Sequence, residues 1–155
     1  MSQDASPRPL PFEESLGFLV RDLNRLIQRE IGAQISVHGV SPGAWYFLRM
    51  LWEEDGLTQR ELSQRIGMME PTAVVALRGI EAEGWIRRER NAQDRRKVHM
   101  YLTPAGWALR EKLLPIAHAV NAQVVQGLTP DEANFLRALL RRARANFGPG
   151  MAEEG

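Results

Sequence analysis

Cysteine is missing altogether from the 155 residues. That absence excludes a disulfide framework, a zinc site built on thiolates and any thiol-based oxidation switch. Histidine is scarce, and His38, His99 and His118 have no metal-ligand spacing. The chain has no Gly-rich phosphate loop and no nucleophile with a recognisable base partner. Nothing in it points to an enzyme, a cofactor or a metal. No apolar run approaches the roughly 18 residues needed to cross a bilayer. The opening stretch "MSQDASPRPLP" has no apolar core region and does not read as a signal peptide. A soluble cytoplasmic protein with no membrane partner is the expectation. An excess of one charge is lacking too: 20 Lys and Arg face 19 Asp and Glu, for a net charge of +1. Internal repeats and low-complexity tracts are absent.

What the chain does have is helical periodicity. Phe12, Leu16, Leu19, Leu23 and Leu26 recur every three or four residues, and Val20, Ile27 and Ile31 widen the stripe. This predicts an amphipathic helix over 12–36 whose heptad-like seam suits pairing with other helices. Ser41 and Pro42 then start a short helix with Phe47, Leu48 and Leu51 facing inward. In "LTQRELSQRIG", Thr58 and Glu61 make a capping box and Gly67 is a stop. Pro71 opens the next helix, with Ala73, Leu77 and Ile80 on one side and Gly84 closing it. Two short helices around a tight turn form a helix-turn-helix.

Few other stretches resemble "WIRRER" and "KVHMYL". In the second, Val98, Met100 and Leu102 alternate with Lys97, His99 and Tyr101, the period of a strand, and "NAQD" supplies turn formers. From Trp85 to Thr103 there are six cations against two anions, a local excess of +4 in a nearly neutral protein. Such a patch is the electrostatic footprint of a phosphate backbone; a solvated surface hairpin is the alternative. Thr103-Pro104 restarts a helix carrying Leu113, Ala117, Val120, Val124 and Leu128. Thr129, Pro130 and Glu132 cap a last one with Phe135, Leu136, Leu139, Ala143 and Phe147. The expected organisation is a disordered tail at 1–11, a helical dimerisation region from 12–36 and 104–147, a DNA-binding unit at 41–103 and a C-terminal tail at 148–155.

The segments "LTQRELSQRIG", "EPT", "IEAEGWIRRE" and "DRRKVHMYLTPAG", in that order, resemble the winged-helix transcriptional regulators of the multiple-antibiotic-resistance regulator (MarR) family. The resemblance runs continuously over 57–106. The fold it implies is mostly α with a small β-hairpin wing: a winged helix-turn-helix head joined to a helical dimerisation region. It further implies a homodimer, with Leu16, Leu19, Leu23, Leu136, Leu139 and Phe147 at the interface. The function it implies is sequence-specific regulation of transcription on a pseudo-palindromic operator of double-stranded DNA. Repression is the family's usual mode, with release by a small, anionic or aromatic effector.

On this resemblance the hairpin is the wing. Arg95 at its tip enters the minor groove, Arg96 and Lys97 lie along the backbone, and Asp94 braces the tip through Arg87 or Arg88, Arg87 itself being a further candidate contact. The second motif helix becomes the recognition helix, facing DNA with Pro71, Thr72, Val75 and Ala76 and, at its edge, Arg78. Relatives often carry Ser and Arg at the positions of Val74 and Val75, so this face is poor in hydrogen-bonding groups. Gln59, Arg60 and Gln64 of the first motif helix are candidate phosphate or edge contacts. Candidate effector-lining residues are His38, Trp45, Met50, Trp52, Met68 and Met69, although a Met- and Trp-rich cluster is more often plain core. A winged helix used only for protein contact is the competing reading.

Overall fold

The computed structural model describes residues 8–148. Most of the expected N-terminal tail and nearly all of the C-terminal tail lie outside them. A single 3-10 turn at Phe12–Glu14 precedes α1 (Leu16–Ser36). Then come α2 (Pro42–Glu53), α3 (Gln59–Ile66), α4 (Glu70–Ala82), β1 (Ile86–Arg90), β2 (Val98–Leu102), α5 (Pro104–Val124) and α6 (Pro130–Ala145). The first helix therefore starts four residues later than its apolar stripe predicts. The reason is Ser15, whose extended backbone stops helical propagation and whose hydroxyl accepts from the Phe18 amide at 3.1 Å.

Sequence chemistry sets the other boundaries. Ser41, Thr103 and Thr129 cap α2, α5 and α6, each with Pro in the first turn. At α3 both halves of the capping box form: Thr58 accepts from the Glu61 amide at 3.1 Å, and Glu61 accepts from the Thr58 amide at 2.8 Å. Gly67 then takes the left-handed conformation at φ 74° and lets α4 leave at once in a new direction.

β1 and β2 pair antiparallel from Ile86 opposite Leu102 to Arg90 opposite Val98. The α2–α3 connection adds a third, short leg: Met100 donates to the Leu57 carbonyl at 2.9 Å, and Gly56 donates to the Met100 carbonyl at 3.0 Å. Gly56 is obligatory there, since its φ is 79° and a Cβ would sit 2.7 Å from the Tyr101 ring. Inside the head, Phe47, Leu48, Leu51, Leu62, Leu77, Ile80 and Met100 are sealed from solvent.

α5 is clamped to the base of the hairpin. The Thr103 amide donates to the Trp85 carbonyl and the Thr103 hydroxyl to the Gly84 carbonyl. Trp52 donates its indole N–H to the Gly106 carbonyl at 3.0 Å. A Cβ on Gly106 would run into the Trp85 carbonyl oxygen. Beyond the head, α1 packs on α5 through Ile31 and Ile35. α6 lies nearly free of the rest of the chain, with only Ala133 buried. Among the described residues no helix is long and apolar enough to cross a membrane.

Candidate nucleic-acid interface

α4 buries Ala73, Leu77 and Ile80 and turns Pro71, Thr72, Val75, Arg78 and Gly79 to solvent. Ala76 differs from the expectation: it is half-buried against the core, because a residue three after Ala73 and four before Ile80 falls at the margin of the buried stripe. On the exposed face only Thr72 and Arg78 carry side-chain hydrogen-bonding groups; Val75, 69% exposed, is an apolar surface of the kind that meets thymine methyls.

The wing's cations fall into two sets. Arg88 is held by Glu81 of α4 at 2.6 Å, and Arg87 by Glu89 on its own strand at 2.6 Å while lying over the Tyr101 ring. The Glu89 carboxylate beside it raises the Arg87 pKa above its usual range. These two arginines tie the hairpin to itself and to the head. Asp94 therefore does not brace the tip through Arg87 or Arg88. Its carboxylate accepts from the Arg96 amide and the Arg96 side chain, each at 3.1 Å, and those donors hold it below the usual carboxylate range. The brace is local because the strand arginines have nearer carboxylates. Arg90 donates to the Arg95 carbonyl at 2.7 Å. Among the described residues Arg95 and Lys97 enter no ion pair.

Within the tip, the Asn91 side-chain oxygen accepts from the amides of Gln93 (2.9 Å) and Asp94 (3.0 Å), and its amide group meets His99 Nε2 at 3.0 Å. The sequence reading takes Asn91 as a turn former and His99 as a strand residue without metal-ligand spacing, and does not pair them. The Asn–x–Gln–Asp spacing, with a histidine eight residues on in the opposing strand, was the available signal.

A groove of about 630 Å³ lies between the start of α3 and the wing tip. It brings Gln59, Arg60 and Gln64 together with Asp94, Arg96 and Lys97. Glu61 also lines it, its pKa lowered by the Thr58 backbone hydrogen bond.

The expected effector cluster divides. Trp45, Met50 and Met68 line a second cavity of about 530 Å³, in company with Tyr46, Arg49, Glu53 and Arg65. Trp52 does not join them: it is buried edge-on against Trp45 and committed to Gly106. His38, in the turn after α1, and Met69, exposed just before α4, are not in the lining either. The two arginines are the residues that composition arguments missed. Arg49 stands one helical turn from both Trp45 and Glu53, a spacing legible in "WYFLRMLWE".

A helix-turn-helix with an exposed second helix, flanked by a hairpin whose tip carries unpaired cations, defines a winged-helix DNA-binding protein. The sequence model of the MarR family matches residues 40–98. The HTH-type transcriptional regulator TtmR of Methylorubrum extorquens is 31% identical over 136 residues, covering 88% of this chain and 69% of that protein. A MarR-family regulator from Silicibacter pomeroyi superposes with a TM-score of 0.76 at 30% identity, over 86% of this chain and 90% of that one. The Bordetella bronchiseptica protein BpsR, whose structure concerns regulation of its DNA binding by 6-hydroxynicotinic acid, shares the fold: TM-score 0.80 at 24% identity, over 88% and 97% of the two chains. The chain belongs to the MarR family of DNA-binding transcriptional regulators.

Proposed function

We propose that the protein works as a homodimeric repressor on a pseudo-palindromic operator and lets go of DNA when a small aromatic anion binds. The observation that carries this reading is the apolar surface that one chain leaves uncovered. Leu16, Leu19 and Leu23 on α1, together with Leu139 and Phe147 at the other end of the chain, stand in solvent in the single chain, with Leu136 half-buried beside them. Exposed apolar stripes of this kind on the outer helices mark association surfaces. The outer helices, from 12–36 and 104–147, thus form the dimerisation region and 41–103 the DNA-binding unit.

On DNA, α4 lies in the major groove with Thr72 and Arg78 toward base edges and Pro71 and Val75 in apolar contact. Arg95 reaches the minor groove, while Arg96, Lys97, Arg60, Gln59 and Gln64 meet phosphates. The cavity between α2 and α3 supplies an aromatic wall in Trp45, adaptable Met50 and Met68, and Arg49 and Arg65 for a carboxylate. BpsR, regulated by an aromatic carboxylate, supports that choice of ligand class.

The test is operator binding at two salt concentrations. Phosphate contacts make affinity fall with salt; a winged helix used only for protein contact gives no such slope. Titration of aromatic carboxylates should quench Trp fluorescence and release DNA together. A panel that does neither leaves the cavity unassigned.

A further inference from the structure

We propose that Asn91 and His99 are a positioning pair for the wing tip, and that protonation of His99 disengages the tip and weakens DNA binding. The inference rests on the wing's reading as a DNA-contacting element.

The hydrogen-bond roles at His99 are fixed by its partners. Nδ1 lies 2.7 Å from the Gly56 carbonyl oxygen, which can only accept, so Nδ1 carries the proton. In the neutral ring Nε2 is then an acceptor. Asn91 is oriented independently: its side-chain oxygen receives the amides of Gln93 and Asp94, so its NH2 group points at Nε2, 3.0 Å away. Every donor in this chain meets an acceptor. It runs from the α2–α3 connection, through the ring and the Asn91 amide, to the backbone that leads into Asp94 and so to Arg95.

Protonation of His99 places an N–H on Nε2, facing the Asn91 NH2 group. Two donors then oppose each other. Relief by rotating the Asn91 amide turns its NH2 group toward the Gln93 and Asp94 amides, which moves the conflict into the tip instead of removing it. The neutral ring therefore belongs to the ordered tip, and the charged ring does not.

The charged groups around the ring come from every neighbouring element. Glu61 of α3 is close enough for the imidazolium to act on its carboxylate. Glu89 stands opposite on β1, and Asp55 precedes Gly56. On β2 itself Tyr101 lies 6.3 Å from the ring, beneath Arg87. Asp94, Arg90 and Lys97 surround the loop, with Asn91 donating to the Lys97 carbonyl. These carboxylates surround the ring with negative charge. They make the imidazolium tolerable in place, but they do not supply the acceptor that Nε2 would need along the Asn91 direction.

The sign is diagnostic. Added positive charge on a DNA-binding protein ordinarily tightens binding as pH falls. The pair predicts the reverse: affinity about fivefold weaker near about pH 5.5 than near about pH 7.5, the scale of a lost hydrogen bond. The assay is operator binding by the full chain at constant ionic strength. In His99→Gln the acid weakening should vanish, whereas His118→Gln should keep it. Asn91→Asp should invert the slope, because its carboxylate still accepts from Gln93 and Asp94 while welcoming the imidazolium.

Ring and amide NMR of the free protein gives a second readout that needs no DNA. The neutral ring should carry its proton on Nδ1, and the Gln93 and Asp94 amide shifts should follow the His99 titration. Wild-type binding that is flat or tightens on acidification overturns the proposal. So does an unchanged slope in Asn91→Asp, the other tautomer, or tip amides indifferent to His99. A chain that binds no DNA at any pH defeats the wing reading instead, and the NMR titration still decides the pair.

Discussion

The head and the outer helices solve the burial problem in opposite ways. In the head, three helices and a hairpin close over Phe47, Leu62, Leu77 and Met100, leaving none of them exposed. On the outer helices, residues of the same chemical kind stay in water: Leu16 is 77% exposed and Phe135 63%, while Phe147, expected on the last helix, lies in the turn beyond α6. The head buries its apolar residues within one chain, whereas the outer region leaves its own uncovered. The lesson is that apolar periodicity reports which residues share a face, not whether the chain itself covers that face.

The largest test of this contrast sets Leu77→Ala against Leu139→Asp. Leu77 is sealed in the head, so its truncation should cost about 2–5 kcal/mol at every protein concentration. Leu139, 40% exposed in one chain, should behave differently. Its replacement by Asp should abolish dimers in sedimentation and, with them, the concentration dependence of Tm. Equal, concentration-independent losses in both variants would mean that the outer helices close on themselves.

Next comes the wing. Arg95→Ala removes one unpaired cation from each half-site, so the slope of log K against log salt should flatten by close to two units per dimer, at roughly 0.9 per contact. Arg87→Ala should leave the salt slope nearly intact and loosen the hairpin, since Glu89 and the Tyr101 ring already hold that guanidinium. Equal slope changes in the two variants would erase the division between tip and strand cations.

Cap removal measures the two regions on one scale. Thr58→Ala and Thr129→Ala each delete a capping box and should each cost about 1 kcal/mol of helix stability. The first should be felt in the head's unfolding transition. The second should be felt in α6, which has little of the chain to hold it.

The smallest effects concern pH. Glu61 and Asp94 both have folded-state pKa values below the ordinary carboxylate range. Their contribution is therefore fully present above that range and is lost as pH falls through the lower folded-state values. Glu61→Gln keeps the reciprocal hydrogen bond of the capping box without the charge, and should flatten the acid limb of the stability curve. Asp94→Ala should loosen the tip and weaken DNA binding even though it removes a negative charge. Tighter binding would make Asp94 a repulsive group and not a brace.

Most of the fold was legible because its boundary signals are local. Thr58 with Glu61, Gly67, Thr103-Pro104 and Thr129-Pro130 act within a turn of chain. Some readings went astray because they concern which of several eligible partners is nearest, or where a face ends. Asp94 found Arg96, two residues away, before the strand arginines, which Glu89 and Glu81 had already taken. Trp52 reads like Trp45 in sequence, but one lines a cavity and the other is spent on Gly106. Ala76 lies at the margin of the buried stripe, which a two-sided helical wheel does not separate from the open face. The Asn91–His99 contact spans a hairpin and depends on a register that no single strand specifies.

Gly106 carries a consequence of a different kind. Only Thr103 separates the end of β2 from the start of α5, whose first turn sits against the Trp85 carbonyl with no room for a side chain. The angular phase between wing and shaft is therefore fixed by chain length. One residue added in the first turn of α5 would rotate everything beyond it by about 100° relative to the head. In the proposed dimer both heads would swing in opposite senses, and the two wings would no longer address the same side of the duplex. The number of residues between Leu102 and Gly106 is in this sense a gauge. An insertion here would change the phase between head and shaft and also displace Gly106 from its close fit against Trp85.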